Sequence, residues 1–294
     1  MTWRFLDTGS HDGPFNMAVD EALVDACRVG NSPPVFRVYR WEPWTLSLGR
    51  MEDAERRVDL AACRTDGVPI VRRPTGGRAV LHADELTYSV IARPGDVPVP
   101  ATVGSLYRFV ADVLVAALRS VGIPATIWPP QSDGGRVRRV KSSGGAGGET
   151  LRRSPCFATV SQYEICVDGK KLVGSAQRIW SDAMLQHGSI LLGPAHCRIE
   201  AYLRGTALTS GTLAMRTTSI SEVLGERIEP HVLARSLRDA ASHIWKTPVE
   251  EKALTRRELE AVRNLVDAKY GIDAWTLQKG SPEMKTDASG AHGH

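Results

Sequence analysis

The chain has 294 residues, 42% of them hydrophobic and 24% charged, which is enough to bury a substantial core in one large domain or in a large and a small one. The formal net charge of +4 is mild, and the basic residues lack interleaved aromatics or a recognisable reading helix, which argues against a nucleic-acid binder. No apolar segment of signal-peptide length follows a basic start, and the most apolar later run, residues 110–118, contains Asp112. We therefore expect a cytoplasmic protein that does not enter a membrane.

The five cysteines are odd in number and widely spaced, at Cys27, Cys63, Cys156, Cys166 and Cys197. None forms a C-x-x-C pair, the spacing that is typical of zinc and redox sites. We therefore expect free, reduced thiols and no bound metal.

The first part of the chain alternates short β-rich runs with amphipathic helical stripes. We expect strands at residues 3–7, 35–39, 45–48, 69–73, 79–81, 86–92 and 125–128. Helices are expected at residues 16–29 and 58–63. The clearest apolar stripe, residues 106–121, predicts a core helix that ends at Gly122 and Pro124.

The second part begins with a segment that is too poor in large apolar residues to pack. Residues 131–155 are rich in Gly and Ser and are expected to form a flexible basic loop. Strands follow at residues 163–167, 171–177 and 184–192, with an Asp168-Gly169 hairpin turn between the first two. Helices are expected near residues 199–203, 220–224, 230–245 and 255–270. Strands mixed with segregated helices predict an α+β fold.

The loop at residues 131–155 carries six basic residues against two acidic ones, while the rest of the chain is nearly neutral. The basic residues are Arg136, Arg138, Arg139, Lys141, Arg152 and Arg153. Such an excess could attract an acidic partner or a phosphate, or it could belong to a loop that is simply solvated. The sequence leaves both interpretations open.

A predicted strand leads into the densest unusual segment, Arg72-Arg73-Pro74-Thr75-Gly76-Gly77-Arg78, which is followed by His82. Two successive glycines let the backbone turn sharply and approach a ligand closely, because glycine has no Cβ. A plain hairpin turn is an equally good interpretation of these glycines. His82 by itself is more often a structural histidine than a catalytic one.

The strand Lys171-Leu172-Val173-Gly174-Ser175-Ala176 carries a lysine at its entrance and small residues after it. Alternation puts Lys171, Val173 and Ser175 on one face of the strand. A lysine held there could direct its ammonium group at a carbonyl or phosphate oxygen. Lys170, at the hairpin turn, is expected to lie in solvent.

Cys156 follows the basic loop, shortly after Arg152 and Arg153. Nearby positive charge favours the thiolate, which is the form that attacks carbonyl groups. Cys27 lies on a helical apolar stripe and Cys166 within a strand, where a free cysteine usually acts as a small hydrophobe. Cys156 is therefore the candidate nucleophile.

Taken together, these segments resemble the biotin and lipoate protein ligase superfamily, and most closely its cysteine-dependent octanoyltransferase branch. The stretches that carry the resemblance are Asn16-Met17-Ala18-Val19-Asp20-Glu21, Trp44-Thr45-Leu46-Ser47-Leu48-Gly49, the Arg72 to His82 segment with Glu85-Leu86-Thr87-Tyr88-Ser89, Cys156-Phe157, the Lys171 to Gln177 strand, and Leu185-Gln186-His187-Gly188-Ser189. Their order and spacing agree over residues 3–280. Each piece is weak alone, whereas the combination is specific.

The resemblance implies a central mixed β-sheet flanked by helices, with a small helical C-terminal region and a tunnel for an acyl chain. It implies that Cys156 accepts the acyl group and that Lys171 holds the carbonyl oxygen. The implied substrate-binding residues are Arg72, Arg73, Thr75, Gly76, Gly77, Arg78, His82, Gly174, Ser175 and Ala176. Residues 1–245 would form the acyltransferase domain, residues 246–280 a helical extension and residues 281–294 a disordered tail.

The implied activity is transfer of an octanoyl or lipoyl group from octanoyl-acyl carrier protein to a lysine of glycine-cleavage H protein or another lipoyl domain, with no cofactor. An ATP-dependent lipoate protein ligase, which would use ATP and magnesium and act through lipoyl-AMP, is the alternative. It is favoured by the long basic loop and by Arg50-Met51-Glu52, where relatives commonly have Gln. Cys156-Phe157 favours the transferase, because ligases do not need the cysteine. A non-catalytic carrier-binding protein is a third interpretation.

Overall fold

A computed structural model describes residues 1–128, 163–204 and 211–278 of the chain. The predicted basic loop at residues 131–155, the candidate nucleophile Cys156 and the predicted tail from residue 281 lie outside the described residues. Within the three described ranges, no helix is both long enough and apolar enough to cross a membrane.

Eleven strands occur in the described ranges and form two sheets. They are β1 (Trp3–His11), β2 (Val35–Trp41), β3 (Thr45–Leu48), β4 (Ile70–Arg72), β5 (Val80–His82), β6 (Glu85–Ala92), β7 (Thr126–Trp128), β8 (Glu164–Val167), β9 (Lys170–Ile179), β10 (Met184–Leu191) and β11 (Val249–Glu251). The main sheet has the order β11-β1-β2-β6-β10-β9-β8-β7. It is mixed, because β1 runs parallel to β2 and β11 while the other neighbours are antiparallel. The small sheet has the order β4-β3-β5.

Helices surround the main sheet. The α-helices are α1 (Gly13–Arg28), α2 (Ala54–Arg57), α3 (Leu60–Thr65), α4 (Val103–Ser120), α5 (Thr212–Arg216), α6 (Ile220–Leu224), α7 (Pro230–Trp245), α8 (Arg256–Leu265) and α9 (Asp273–Leu277). The start of α1 is set by Asp12, whose side chain accepts a hydrogen bond from the Phe15 backbone N–H. A 3₁₀ segment covers Pro194–Tyr202, and α8 continues into a π-helical turn at Val266–Tyr270.

Both faces of the central strand β2 are buried. Phe36 and Val38 belong to the apolar core that includes α4 and α7. Val35 and Tyr39 belong to the core on the other side, where α1 packs against α8. Successive residues of a strand point to opposite faces, so β2 contributes side chains to both cores.

The α+β fold with a mixed central sheet and a helical C-terminal region is confirmed. β3 and α7 have the bounds that the sequence predicted. The C-terminal region also contains one short strand that the sequence did not predict, because Val249–Glu251 forms β11 at the edge of the main sheet. The predicted helix at residues 199–203 is part of the 3₁₀ segment. The division of the chain at residue 245 stays a prediction.

Candidate active site

A cavity of about 360 Å³ lies between the two sheets, with Met17 of α1 in its wall. Five residues that the sequence singled out line this cavity, namely Arg73, His82, Gly174, Ser175 and Ala176. Arg73 and His82 flank the turn at residues 74–78 that contains Gly76 and Gly77, which we call the glycine turn, whereas the other three belong to β9. The fold therefore brings both candidate segments to one site.

Two adjacent rungs of the main sheet supply six residues to the cavity wall, namely Tyr39, Thr87, Gly174, Ala176, His187 and Ser189. The strand register aligns Arg37, Ser89, His187 and Ala176 in one rung and Tyr39, Thr87, Ser189 and Gly174 in the next. Ala176 in β9 is partly exposed, whereas Tyr39 in β2 is fully buried. The cavity thus opens at β9 and ends at β2, three strand spacings or about 14 Å away.

A carboxylate, an imidazole and a hydroxyl are connected in series at this wall. The Asp20 carboxylate Oδ2 lies 3.0 Å from His187 Nδ1, and His187 Nε2 lies 2.6 Å from Thr75 Oγ1. Asp20 and Thr75 are fully buried. His187 lines the cavity, and Thr75 lies in the turn that covers it. We call this set the His187 relay.

The protonation states of the His187 relay follow from burial and charge. Burial acts to raise the pKa of Asp20, but the neighbouring Arg37 and the hydrogen bond from His187 outweigh it and hold the pKa below its usual value. For His187, burial has the opposite sign: it lowers the pKa and outweighs the neighbouring Asp20, which acts to raise it. The imidazole is therefore neutral at pH 7, with its proton on Nδ1 facing Asp20. Nε2 must then accept the Thr75 hydroxyl proton.

A second series of the same kind involves His82. Glu85 Oε1 lies 2.8 Å from His82 Nδ1, and His82 Nε2 lies 2.7 Å from Ser47 Oγ. The Trp41 ring stacks on the His82 ring, with 3.9 Å between centroids. The Thr87 hydroxyl donates to Glu85 Oε1 at 2.6 Å, and Thr87 lines the buried end of the cavity.

Arg72 hydrogen-bonds to backbone near the glycine turn and is not among the residues that line the cavity. Its guanidinium is buried and donates to five backbone carbonyls, which belong to Gly49, Arg50, Glu52, Trp275 and Thr276. This placement gives Arg72 a structural role. A substrate contact by Arg72 stays a prediction.

Arg73 shapes the turn directly. Its Nη2 donates to the carbonyls of Gly76 at 2.9 Å and Arg78 at 2.7 Å. Gly77 has φ of +95°, and a Cβ at this position would lie 2.7 Å from Arg73 Nη2. Only glycine fits there without strain. Gly76 and Gly77 are exposed, and Arg78 is partly exposed.

Lys171 is fully buried, and its Nζ forms an ion pair with the carboxylate of Glu164 in β8. The described residues that line the cavity do not include Lys171. Lys170, in contrast, is exposed at the hairpin turn, as the sequence predicted. The turn itself is confirmed by positive φ angles at Asp168 and Gly169.

The four cysteines in the described ranges are held as thiols. Cys27, Cys63 and Cys166 are buried, and burial raises the pKa of each thiol to about 11. Burial also raises the pKa of Cys197. In the same ranges, no group of three or more His, Cys, Asp or Glu side chains is placed to hold a metal ion.

Several polar residues of the site were given no role by the sequence. They are Asp20, Ser47, Glu85, His187 and Ser189. All of them occur in the motifs that carried the family resemblance. Their pairing is invisible in the sequence, because Asp20 and His187 are 167 residues apart.

A model of the lipoyl protein ligase A/B catalytic domain matches residues 12–242. The chain belongs to the lipoyl protein ligase A/B catalytic-domain family. This finding confirms the predicted family, and the residues that line the cavity all lie within the matched range.

Similar proteins narrow the activity within the lipoyl protein ligase A/B family. The chain is 38% identical over 283 residues to octanoyltransferase LipM of Kyrpidia tusciae, covering 95% of the chain and 99% of the relative. It is 34% identical to octanoyltransferase LipM of Bacillus subtilis, with the same coverage. These relatives confirm the prediction of an octanoyltransferase of protein lipoylation. The route through a cysteine thioester stays a prediction.

Solved structures of the lipoyl protein ligase A/B family share the fold. A lipoate-protein ligase A bound with ATP aligns with a TM-score of 0.74 and 22% identity, covering 94% of this chain and 99% of the other. A bi-partite lipoate protein ligase from Thermoplasma acidophilum aligns with a TM-score of 0.76 and 20% identity, covering 97% and 99%. At these identities the likeness establishes the fold alone.

Proposed function

We propose that this chain transfers an octanoyl group from octanoyl-acyl carrier protein to a lysine of glycine-cleavage H protein or another lipoyl domain, through a thioester on Cys156 and without ATP. The observation that carries the proposal is the shape of the cavity, which extends across the main sheet. It opens at the part-exposed Ala176 and ends at the buried Tyr39, so it suits a medium-length acyl chain that enters tail first. The reactive carbonyl then lies at the entrance, beside the glycine turn.

The first step is attack of the Cys156 thiolate on the thioester of the carrier. The carrier leaves as a thiol and the octanoyl group stays on the enzyme. Thioester exchange is nearly isoenergetic, so this step needs no nucleotide. The high pKa values of Cys27, Cys63 and Cys166 support Cys156 by making these three thiols poor nucleophiles at neutral pH.

The second step is attack by the lysine amine of the acceptor, which forms an amide and releases Cys156. Negative charge develops on the carbonyl oxygen in both steps. We assign its stabilisation to Lys171, which forms an ion pair with Glu164. Removing a comparable donor typically costs about 10²–10³ in rate.

Intact-mass measurement after mixing the protein with octanoyl-acyl carrier protein, without nucleotide, tests the proposal. We expect one added octanoyl group that hydroxylamine removes, and no adduct on Cys156→Ala. Cys197→Ala is the matched control and should load like the wild type. A requirement for free octanoate, ATP and magnesium, with activity surviving in Cys156→Ala, would instead establish a ligase that acts through an acyl adenylate.

A further inference from the structure

We infer that the His187 relay is the proton acceptor for the incoming lysine amine, with Thr75 passing the proton, His187 receiving it and Asp20 as the positioning residue. This inference rests on the proposed octanoyl transfer. A lysine side chain has a pKa of about 10.4 and reaches the site as an ammonium ion without a free lone pair. The site must therefore remove a proton before the amine can attack.

The hydrogen bonds around Asp20 fix the direction in which a proton can move. Asp20 Oδ1 accepts from Arg37 at 2.7 Å and from Ser89 at 2.9 Å, while Oδ2 accepts from Tyr39 at 3.1 Å and from His187. A carboxylate with four donors is locked in place and holds the proton of His187 on Nδ1. Nε2 is then the basic atom, and the Thr75 hydroxyl points its proton at it.

The relay reaches the entrance of the cavity through the glycine turn. Thr75 directly precedes Gly76 and Gly77, which are both exposed. A Cβ at Gly76 would meet nothing within 4 Å, and a Cβ at Gly77 would lie 3.8 Å from that of Ala176 at the open end of the cavity. Thr75 itself is fully buried, so an amine meets its hydroxyl only after the turn shifts, and the open space around Gly76 leaves room for that shift.

The transfer balances as follows. The ammonium gives one proton to Thr75 Oγ1 as Thr75 gives its own to His187 Nε2, and the imidazolium is balanced by Asp20. The neutral amine attacks the acyl carbonyl carbon, the carbon–sulfur bond breaks, and the leaving thiolate takes the second proton of the amine. Arg37, Arg73 and His82 also face this region, and Arg73 and His82 oppose the charge on His187. Proton storage on His187 is therefore brief, which suits a relay that must return to its neutral form.

Separating the two half-reactions tests this inference. The full chain is loaded from octanoyl-acyl carrier protein and then mixed either with H protein or with hydroxylamine, which is largely unprotonated at neutral pH and needs no base. His187→Gln and Thr75→Val should lose far less in loading and in the hydroxylamine reaction than in transfer to the lysine. Their transfer to the lysine should fall about 10²–10⁴-fold, the usual contribution of general base catalysis. Thr75→Ser, which keeps the hydroxyl, should transfer within a few-fold of the wild type.

His196→Gln is the matched control, because His196 is a buried histidine bonded to Thr217 outside the cavity. It should leave both reactions unchanged. Equal losses with lysine and hydroxylamine would reduce the relay to a structural role, and lysine transfer at the wild-type rate in Thr75→Val would remove Thr75 from the proton path; either result overturns the inference. A wild-type chain that never acquires octanoate would contradict the proposed function itself.

Discussion

Arg72 and Trp275, which are 203 residues apart, exchange hydrogen bonds: Trp275 Nε1 donates to the Arg72 carbonyl and Arg72 Nε donates to the Trp275 carbonyl, each at 3.0 Å. The pair joins the end of β4 to α9. Because the glycine turn follows shortly after Arg72, α9 helps to fix the entrance of the cavity.

Trp275→Ala should therefore lower the free energy of unfolding by about 3–5 kcal/mol, the usual cost of truncating a buried tryptophan. It should also raise the KM for the acyl carrier, because the turn loses its support. Ile272→Ala, an exposed residue just before α9, is the control and should change neither quantity. Denaturant unfolding and initial-rate kinetics measure both effects. A variant that is destabilised with an unchanged KM would show that α9 does not act on the entrance.

Lys171→Met should destabilise the protein by about 3–5 kcal/mol, because the buried Glu164 carboxylate loses its ion pair with Lys171. Lys170→Met, at an exposed position, should have little effect. The double variant Lys171→Met/Glu164→Leu should recover most of the stability without recovering acyl transfer. Unfolding curves and transfer rates on all three variants separate the two roles. Recovery of transfer in the double variant would mean that Lys171 serves only the fold.

Met17→Ala should shift the acyl preference towards chains longer than octanoyl, because Met17 lines the cavity and is fully buried. Met184→Ala removes an equal volume from the core on the other side of the sheet and is the matched control. Both variants should lose about 2–5 kcal/mol of stability. The ratio of decanoyl to octanoyl transfer should rise only in Met17→Ala. An equal ratio of decanoyl to octanoyl transfer in the two variants would mean that the acyl chain does not lie against Met17.

Glu258→Gln should reduce the acid sensitivity of folding. Burial acts to raise the pKa of Glu258, but hydrogen bonds from Arg4 and the Thr255 backbone hold it below the ordinary value of 4.5. A depressed carboxyl pKa contributes stability that is present above the unfolded value and is lost as the pH falls through the folded value. Denaturant midpoints at pH 7 and pH 3 should therefore differ less in Glu258→Gln than in the wild type. Glu260→Gln, exposed on the same helix, should behave like the wild type.

The fold was predictable where local pattern and tertiary structure agree. α7 begins at Pro230, which favours the first turn of a helix, and its apolar stripe needs one partner face. β11 was missed because two of its three residues are glutamates at a sheet edge, so it shows no alternation. The glycine turn was found from composition. The His187 relay was not found, because its parts come from α1, the glycine turn and β10, and only the packing of α1 and the turn against β10 brings them together.

The hydrogen bonds between Arg72 and Trp275 can form only late in the synthesis of the chain. A ribosome that adds about 5–20 residues per second makes Trp275 about 10–40 s after Arg72. During that interval the nascent chain has β4 and the glycine turn but cannot close them with α9. We therefore expect the turn at the cavity entrance of the nascent chain to lack the support of α9 until Trp275 has been made.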